Sequence, residues 1–301
     1  MATALRPAPP ARGYADREVT QPPNWHELVV WDLLLNAVTT GLFLVTAVCL
    51  LARPAVFAPV AAWAFPLALA VLLADLSCLV FDLGHPTRFH HMLRVFKPSS
   101  PMSLGTWFLT GYSLPLTLLA GLSVFELLGW LPADSAPLGW VRVALLVVGL
   151  PLAFGSGGYK GVLFSTSAQP GWRDARWLGA YHLSSALALG AGLLLLLSHA
   201  TGQVEAVGLL RYSFVGLILI SAGPFTLLVG ELAPTLSRVW PRRSLLWGAF
   251  AVGDLSGLVP LLLLGFDGGP ALDAAAVSCA LAGAYAVRAV VVRLPHAVRH
   301  A

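Results

Sequence analysis

Apolar residues come along this chain in continuous blocks rather than in alternation with polar ones. Eight blocks are long enough to cross a bilayer, which takes about 20 residues of helix. They are Leu28–Leu51, Val56–Phe81, Ser103–Leu128, Gly139–Tyr159, Trp177–Leu197, Leu209–Leu232, Leu245–Phe266 and Leu272–Val292. None shows the two-residue period of a barrel strand, so each predicts a helix. The expected fold is all-α, an integral membrane bundle of eight transmembrane helices. Residues 1–27 form a polar, Pro/Ala-rich segment, residues 28–293 the transmembrane domain, and residues 294–301 a short basic tail. The first segment has no apolar core of the secretory kind, so no cleavage is expected.

Composition changes the picture only by exclusion. Hydrophobic residues make up 57% of the chain and charged ones 11%, against about a quarter charged in a soluble domain. The connections are short, which excludes a soluble catalytic domain among the described blocks. Cys49, Cys78 and Cys279 each stand alone in an apolar block. They offer neither a disulfide framework nor the ligand spacing of zinc or an iron–sulfur cluster. A lipid bilayer is the expected surround, and nucleic acid is not an expected partner.

Charge distribution adds an orientation. Eight crossings put both termini on one side with the loops after the second, fourth and sixth helices. That side carries 15 of the 18 Lys and Arg residues, leaving Arg53, Arg142 and Arg211 opposite. The positive-inside rule makes the basic side cytoplasmic.

Polar residues inside the blocks are the candidate chemistry, because ionisable groups in a membrane are expensive and mark functional paths. Asp32 and Asn36 share a face of the first helix at i, i+4. Asp75 lies two turns before Asp82, about 10 Å deeper at 1.5 Å per residue. Tyr159 is expected to end the fourth helix and Glu231 to close the sixth. Asp254 is the deepest, about 14 Å into the seventh, and Arg288 approaches the end of the eighth. His26 and His182 lie near the basic surface. Nearly all of these groups fall in one leaflet.

Between the second and third blocks, "FDLGHPTRFHHML" concentrates Asp82, His85, Arg88, His90 and His91. Asp82 is expected to end the helix, Gly84 to adopt a left-handed angle and Pro86 to stop further winding. With the following "KPSSPMSLGTW", this clasp resembles the NrfD/PsrC family, membrane subunits of polysulfide-reductase-type oxidoreductases. "YKGVLFSTSAQPGW" and "GAYAVRAVVV" are similar to two further family segments.

The resemblance implies a bundle made of two four-helix sets without haem. It implies electron exchange between a quinone pool, menaquinone or ubiquinone, and an iron–sulfur subunit wired to a molybdopterin-type or similar catalytic subunit. Under it, Asp32 and Tyr159 match positions that contact the quinone headgroup, with His26 and Asn36 as further contacts. Asp75, Glu231, Asp254 and Arg288 become proton-path candidates, and Asp82, His85, Arg88 and His91 the partner-docking loop. Asp32 stands where the family commonly has His or Tyr, and Lys160 where it has a small hydroxyl residue. No haem or iron–sulfur cluster is expected in this chain. A haem b anchor and an ion-coupled secondary transporter remain alternatives. The first needs paired histidines at matching depth, the second matched broken helices.

Overall fold

The computed structural model describes residues 23, 25, 27–132, 135–266 and 269–299. Among them the architecture is helical throughout. The long helices are α1 (Glu27–Ala52), α2 (Pro54–Phe81), α3 (Pro101–Leu127), α4 (Ala136–Ser165), α5 (Leu178–Ala200) and α6 (Val204–Val239). The next span comes in pieces: α7 (Arg242–Gly253), a π-helical turn at Asp254–Leu258, and α8 (Val259–Leu264). The last helix is α9 (Gly269–Arg299). Seven of these helices are long and apolar enough to cross a membrane. The eight expected spans therefore appear as seven unbroken helices and one segmented one.

Helix starts follow local chemistry. Pro54 and Pro101 occupy first-turn positions where no N–H is needed. Ser100 caps α3 by accepting from the N–H of Ser103 at 3.4 Å. Pro59, Pro66, Pro115, Pro151 and Pro224 lie inside helices, which packed neighbours make tolerable in a membrane bundle.

Three expected boundaries move. α4 runs past Tyr159 to Ser165, because its glycines serve close packing instead of ending the helix. A Cβ on Gly161 would lie 2.3 Å from Gly179 of α5, so the two backbones meet there. α6 runs past Glu231 to Val239; its 36 residues span about 54 Å, well beyond a hydrocarbon core of about 30 Å. α9 continues through Arg299, so residues 294–299 are helical, and Leu294 is wholly buried.

α1 and α5 form the centre. The most apolar window of α1 is 78% buried and that of α5 61%, against 17% for α4 and α6. α1 packs on α2, α4, α5 and α9, while α5 packs on α6 and α9. The seam closes at Gly41, whose Cβ would lie 1.8 Å from the carbonyl oxygen of Ala186. One apolar core around Phe43, Phe65, Leu116 and Phe214 fills the middle of the bundle. A second, around Phe164, Trp172 and Leu294, closes one end. At that end Glu27 of α1 meets Arg293 and Tyr285 of α9, so the start of the first helix and the end of the last lie together on one side, consistent with an even number of crossings.

Candidate functional site

Three helices turn polar rows toward one another beneath that end. α1 supplies Asp32 and Asn36, α4 supplies Ser156 and Lys160, each pair at i, i+4, and α2 supplies Asp75. All five are buried. The Lys160 ammonium lies 2.7 Å from Asp32 Oδ1 and 3.4 Å from Asp75 Oδ1. It also donates to the main-chain oxygen of Asp32 at 3.2 Å. Asn36 Nδ2 donates to Asp75 Oδ2 at 3.4 Å and to Ser156 Oγ at 3.3 Å. One turn deeper, Thr39 donates to the Ala68 carbonyl at 2.8 Å and meets the Tyr112 hydroxyl at 2.9 Å. Two carboxylates thus face one ammonium, so the set is neutral when it holds one additional proton.

A cavity of about 200 Å³ opens against this cluster. Asp32, Lys160 and Tyr159 form its polar wall, and Leu33, Leu79, Leu163 and Phe164 much of its apolar one. Trp25 closes one edge, stacked on Trp172 at 5.1 Å between centroids. The Tyr159 ring lies flat against α3 because Gly105 has no side chain; a Cβ there would sit 1.9 Å from the ring. The Lys160 ammonium is 5.9 Å from the same ring's centroid. An apolar pocket with a few convergent polar groups at one end is the usual form of a small-molecule site.

The clasp roofs this cavity. Asp82, the last turn of α2, and Leu83 and Met92 contribute to its lining. Pro86–Leu93 forms a short 3₁₀ helix capped by His85, and His85, Arg88 and His91 are exposed. Asp82 ends α2 as expected, its N–H bonding the carbonyl of Cys78 at 3.0 Å. Gly84 does not adopt a positive φ; the chain leaves α2 through an ordinary right-handed turn and Pro86 starts the next one.

The other expected residues disperse. His26 lies outside the described residues. Arg288 is wholly buried and ties three helices together, donating to Leu33 O at 3.1 Å, Ala284 O at 2.9 Å and Ser185 Oγ at 3.1 Å. Beside it, His182 is buried with Nε2 lacking a hydrogen-bond partner. Glu231 accepts from the Trp177 N–H at 3.0 Å and pairs with Arg176 at 3.2 Å. It therefore braces the start of α5. Asp254 is half-buried on the π turn of the segmented span.

Sequence reading left Lys160 without a role and missed a cluster at the opposite end. There Asp273, wholly buried, meets His199 Nε2 at 2.8 Å and Arg211 Nε at 3.0 Å, tying α9 to α5 and α6. Lys160 carried a usable signal: a lysine four residues after a serine in an apolar helix needs a carboxylate opposite it.

These features define a multi-pass, all-helical membrane protein with a charged cluster beside a roofed cavity at one end. The chain belongs to the NrfD family: the family model described as "Polysulphide reductase, NrfD" matches residues 18–267. That match takes in the clasp, the charged cluster and the cavity, and stops before α9. No curated protein matches the chain significantly.

Proposed function

We propose that this chain is the quinone-interacting membrane subunit of a polysulphide-reductase-type complex. It exchanges electrons between menaquinone or ubiquinone and an iron–sulfur subunit coupled to a molybdopterin-type or similar catalytic subunit. The observation that carries this reading is the cavity itself. Its polar end joins Asp32, Lys160 and Tyr159, hydrogen-bonding groups suited to a quinone carbonyl, and its apolar walls suit the ring. Its roof is the exposed, histidine-rich clasp, which supports docking of the electron partner directly above. The bias of basic residues supports a cytoplasmic position for this end and both termini, in this reading at a bacterial inner membrane.

Proton movement accompanies quinone chemistry in this reading. Asp32 and Asp75 share Lys160, which makes a first inward step. Glu231 and Arg288 hold other partners, and their part in a proton path rests on the resemblance alone.

The test is quinol-linked electron transfer by the intact complex, with partner activity on an artificial dye as control. Asp32→Asn removes a proton acceptor at the cavity wall, and positioned acid–base groups contribute about 10²–10⁴-fold. A loss of that order in quinol turnover, with dye activity intact, is expected. Tyr159→Phe removes one hydrogen bond of about 0.5–1.5 kcal/mol, so the apparent KM for quinol should rise about 2- to 13-fold. Both variants keeping wild-type kinetics would exclude this cavity as the quinone site.

A further inference from the structure

We propose that a quinone carbonyl entering the cavity drives uptake of one proton by Asp75, with Lys160 as the linking residue. The proposal deepens the quinone reading and rests on it.

Lys160 has three N–H donors and no acceptor. All three are in use: Asp32 Oδ1 at 2.7 Å, Asp32 O at 3.2 Å and Asp75 Oδ1 at 3.4 Å. Lys160 also lines the cavity beside Tyr159. A carbonyl oxygen arriving there can be bonded by the ammonium only if one present acceptor gives way. The contact to Asp75 is the longest of the three and falls outside the ordinary range of about 2.7–3.2 Å for N–H···O. It yields first, while the two contacts to Asp32 hold the ammonium in place.

Asp75 is wholly buried, so losing Lys160 has a definite consequence. Its surroundings are Asp32 and Asn36 on α1, Tyr112 on α3, Tyr159 and Lys160 on α4, and Cys78 on its own helix. Lys160 is the one cation among them and Asp32 is a second carboxylate. What remains for Asp75 is the amide of Asn36 at 3.4 Å and, close against it, the second carboxyl, Asp32. A carboxylate at that depth, beside a second carboxylate and without its N–H bond from Lys160, is costlier than its neutral acid. The exchange therefore balances as follows: the carbonyl gains one N–H···O bond, Asp75 loses one, and a proton from solution joins the Asp75 carboxylate. No electron moves in this step. Because the bound form holds one proton more than the free form, affinity rises as pH falls. One linked proton corresponds to about tenfold in affinity per pH unit.

The experiment uses the full chain in lipid nanodiscs and a short-tailed quinone as probe. Calorimetric titration at one pH, in two buffers of different ionisation enthalpy, counts protons taken up per ligand. Wild type should take up close to one, with affinity changing about tenfold per pH unit. Asp75→Asn should bind with affinity flat in pH and no proton uptake. A measurement without ligand guards against a misfolded variant. Lys160→Gln should show a carboxylic-acid C=O band in the infrared that disappears in Lys160→Gln/Asp75→Asn. Binding without proton uptake overturns the proposal and leaves the cavity a quinone site. Absence of binding overturns both the proposal and the quinone reading. A Lys160→Gln protein without the Asp75-dependent band overturns the role assigned to Lys160.

Discussion

Replacing Lys160 by Met keeps the length of the side chain and removes its charge from between two buried carboxylates. At an effective dielectric of about 20, a unit pair at the Asp32 distance of 2.7 Å attracts with about 6 kcal/mol. At the Asp75 distance of 3.4 Å the figure is about 5 kcal/mol. These gross attractions offset the desolvation of three charges, so they are not the net worth of the cluster. Removing one partner of a buried pair costs about 3–5 kcal/mol, because the charge left behind is unpaired. Lys160→Met should therefore destabilise by about that amount. The assay is reversible unfolding in mixed micelles, run also in an Asp32→Asn/Asp75→Asn background. With both carboxylates neutral, the same Lys160→Met change should cost little or stabilise, since Met is then well matched to apolar walls. A cost below about 1 kcal/mol in the native background, the level of an exposed ion pair, would refute the argument that Lys160 is held by charge.

Three further outcomes follow from other parts of the bundle. Gly105→Ala places a Cβ 1.9 Å from the Tyr159 ring, so the ring must move; quinone affinity should fall at least as far as in Tyr159→Phe, measured by direct ligand titration. Asp273→Asn removes the carboxylate shared by Arg211 and His199 at the opposite end; it should cost about 1–3 kcal/mol in the same unfolding assay and leave quinone binding unchanged. A C-terminal alkaline phosphatase fusion should stay inactive if the basic face is cytoplasmic, and high phosphatase activity would reverse the orientation and move the partner outside.

The spans were legible because twenty-residue apolar blocks have one economical solution in a bilayer. Their internal detail was not. The π turn that Asp254 begins lies against α9, where Gly283 lets Ser256 approach to 2.5 Å of where its Cβ would be, a contact that hydropathy alone does not announce. A glycine misled once, since Gly84 reads as a left-handed turn but is not one, and α4 passes Tyr159 because Gly161 lets it meet α5. In the site, the rows Asp32–Asn36 and Ser156–Lys160 could each be read from helical spacing alone. That they face each other across Asp75 depends on which helices are neighbours, and spacing within one helix carries no such information. Asp32 and Tyr159 came together at one cavity, whereas Glu231 was placed by depth and proved to serve the start of α5.

The clasp is a wall with two faces. Leu83 and Met92 line the cavity while His85, Arg88 and His91 are exposed, and Arg88, His91 and Met92 all belong to the single 3₁₀ helix of Pro86–Leu93. A helix with its side chains is about 10 Å across. Whatever docks on the outer face therefore sits within that thickness of whatever occupies the inner one. Under the proposed function, two binding events, one from the aqueous phase and one from the bilayer, would act on this one segment. A change in that segment alters the gap, the shape of the cavity and the docking surface together, so none of the three can be tuned alone.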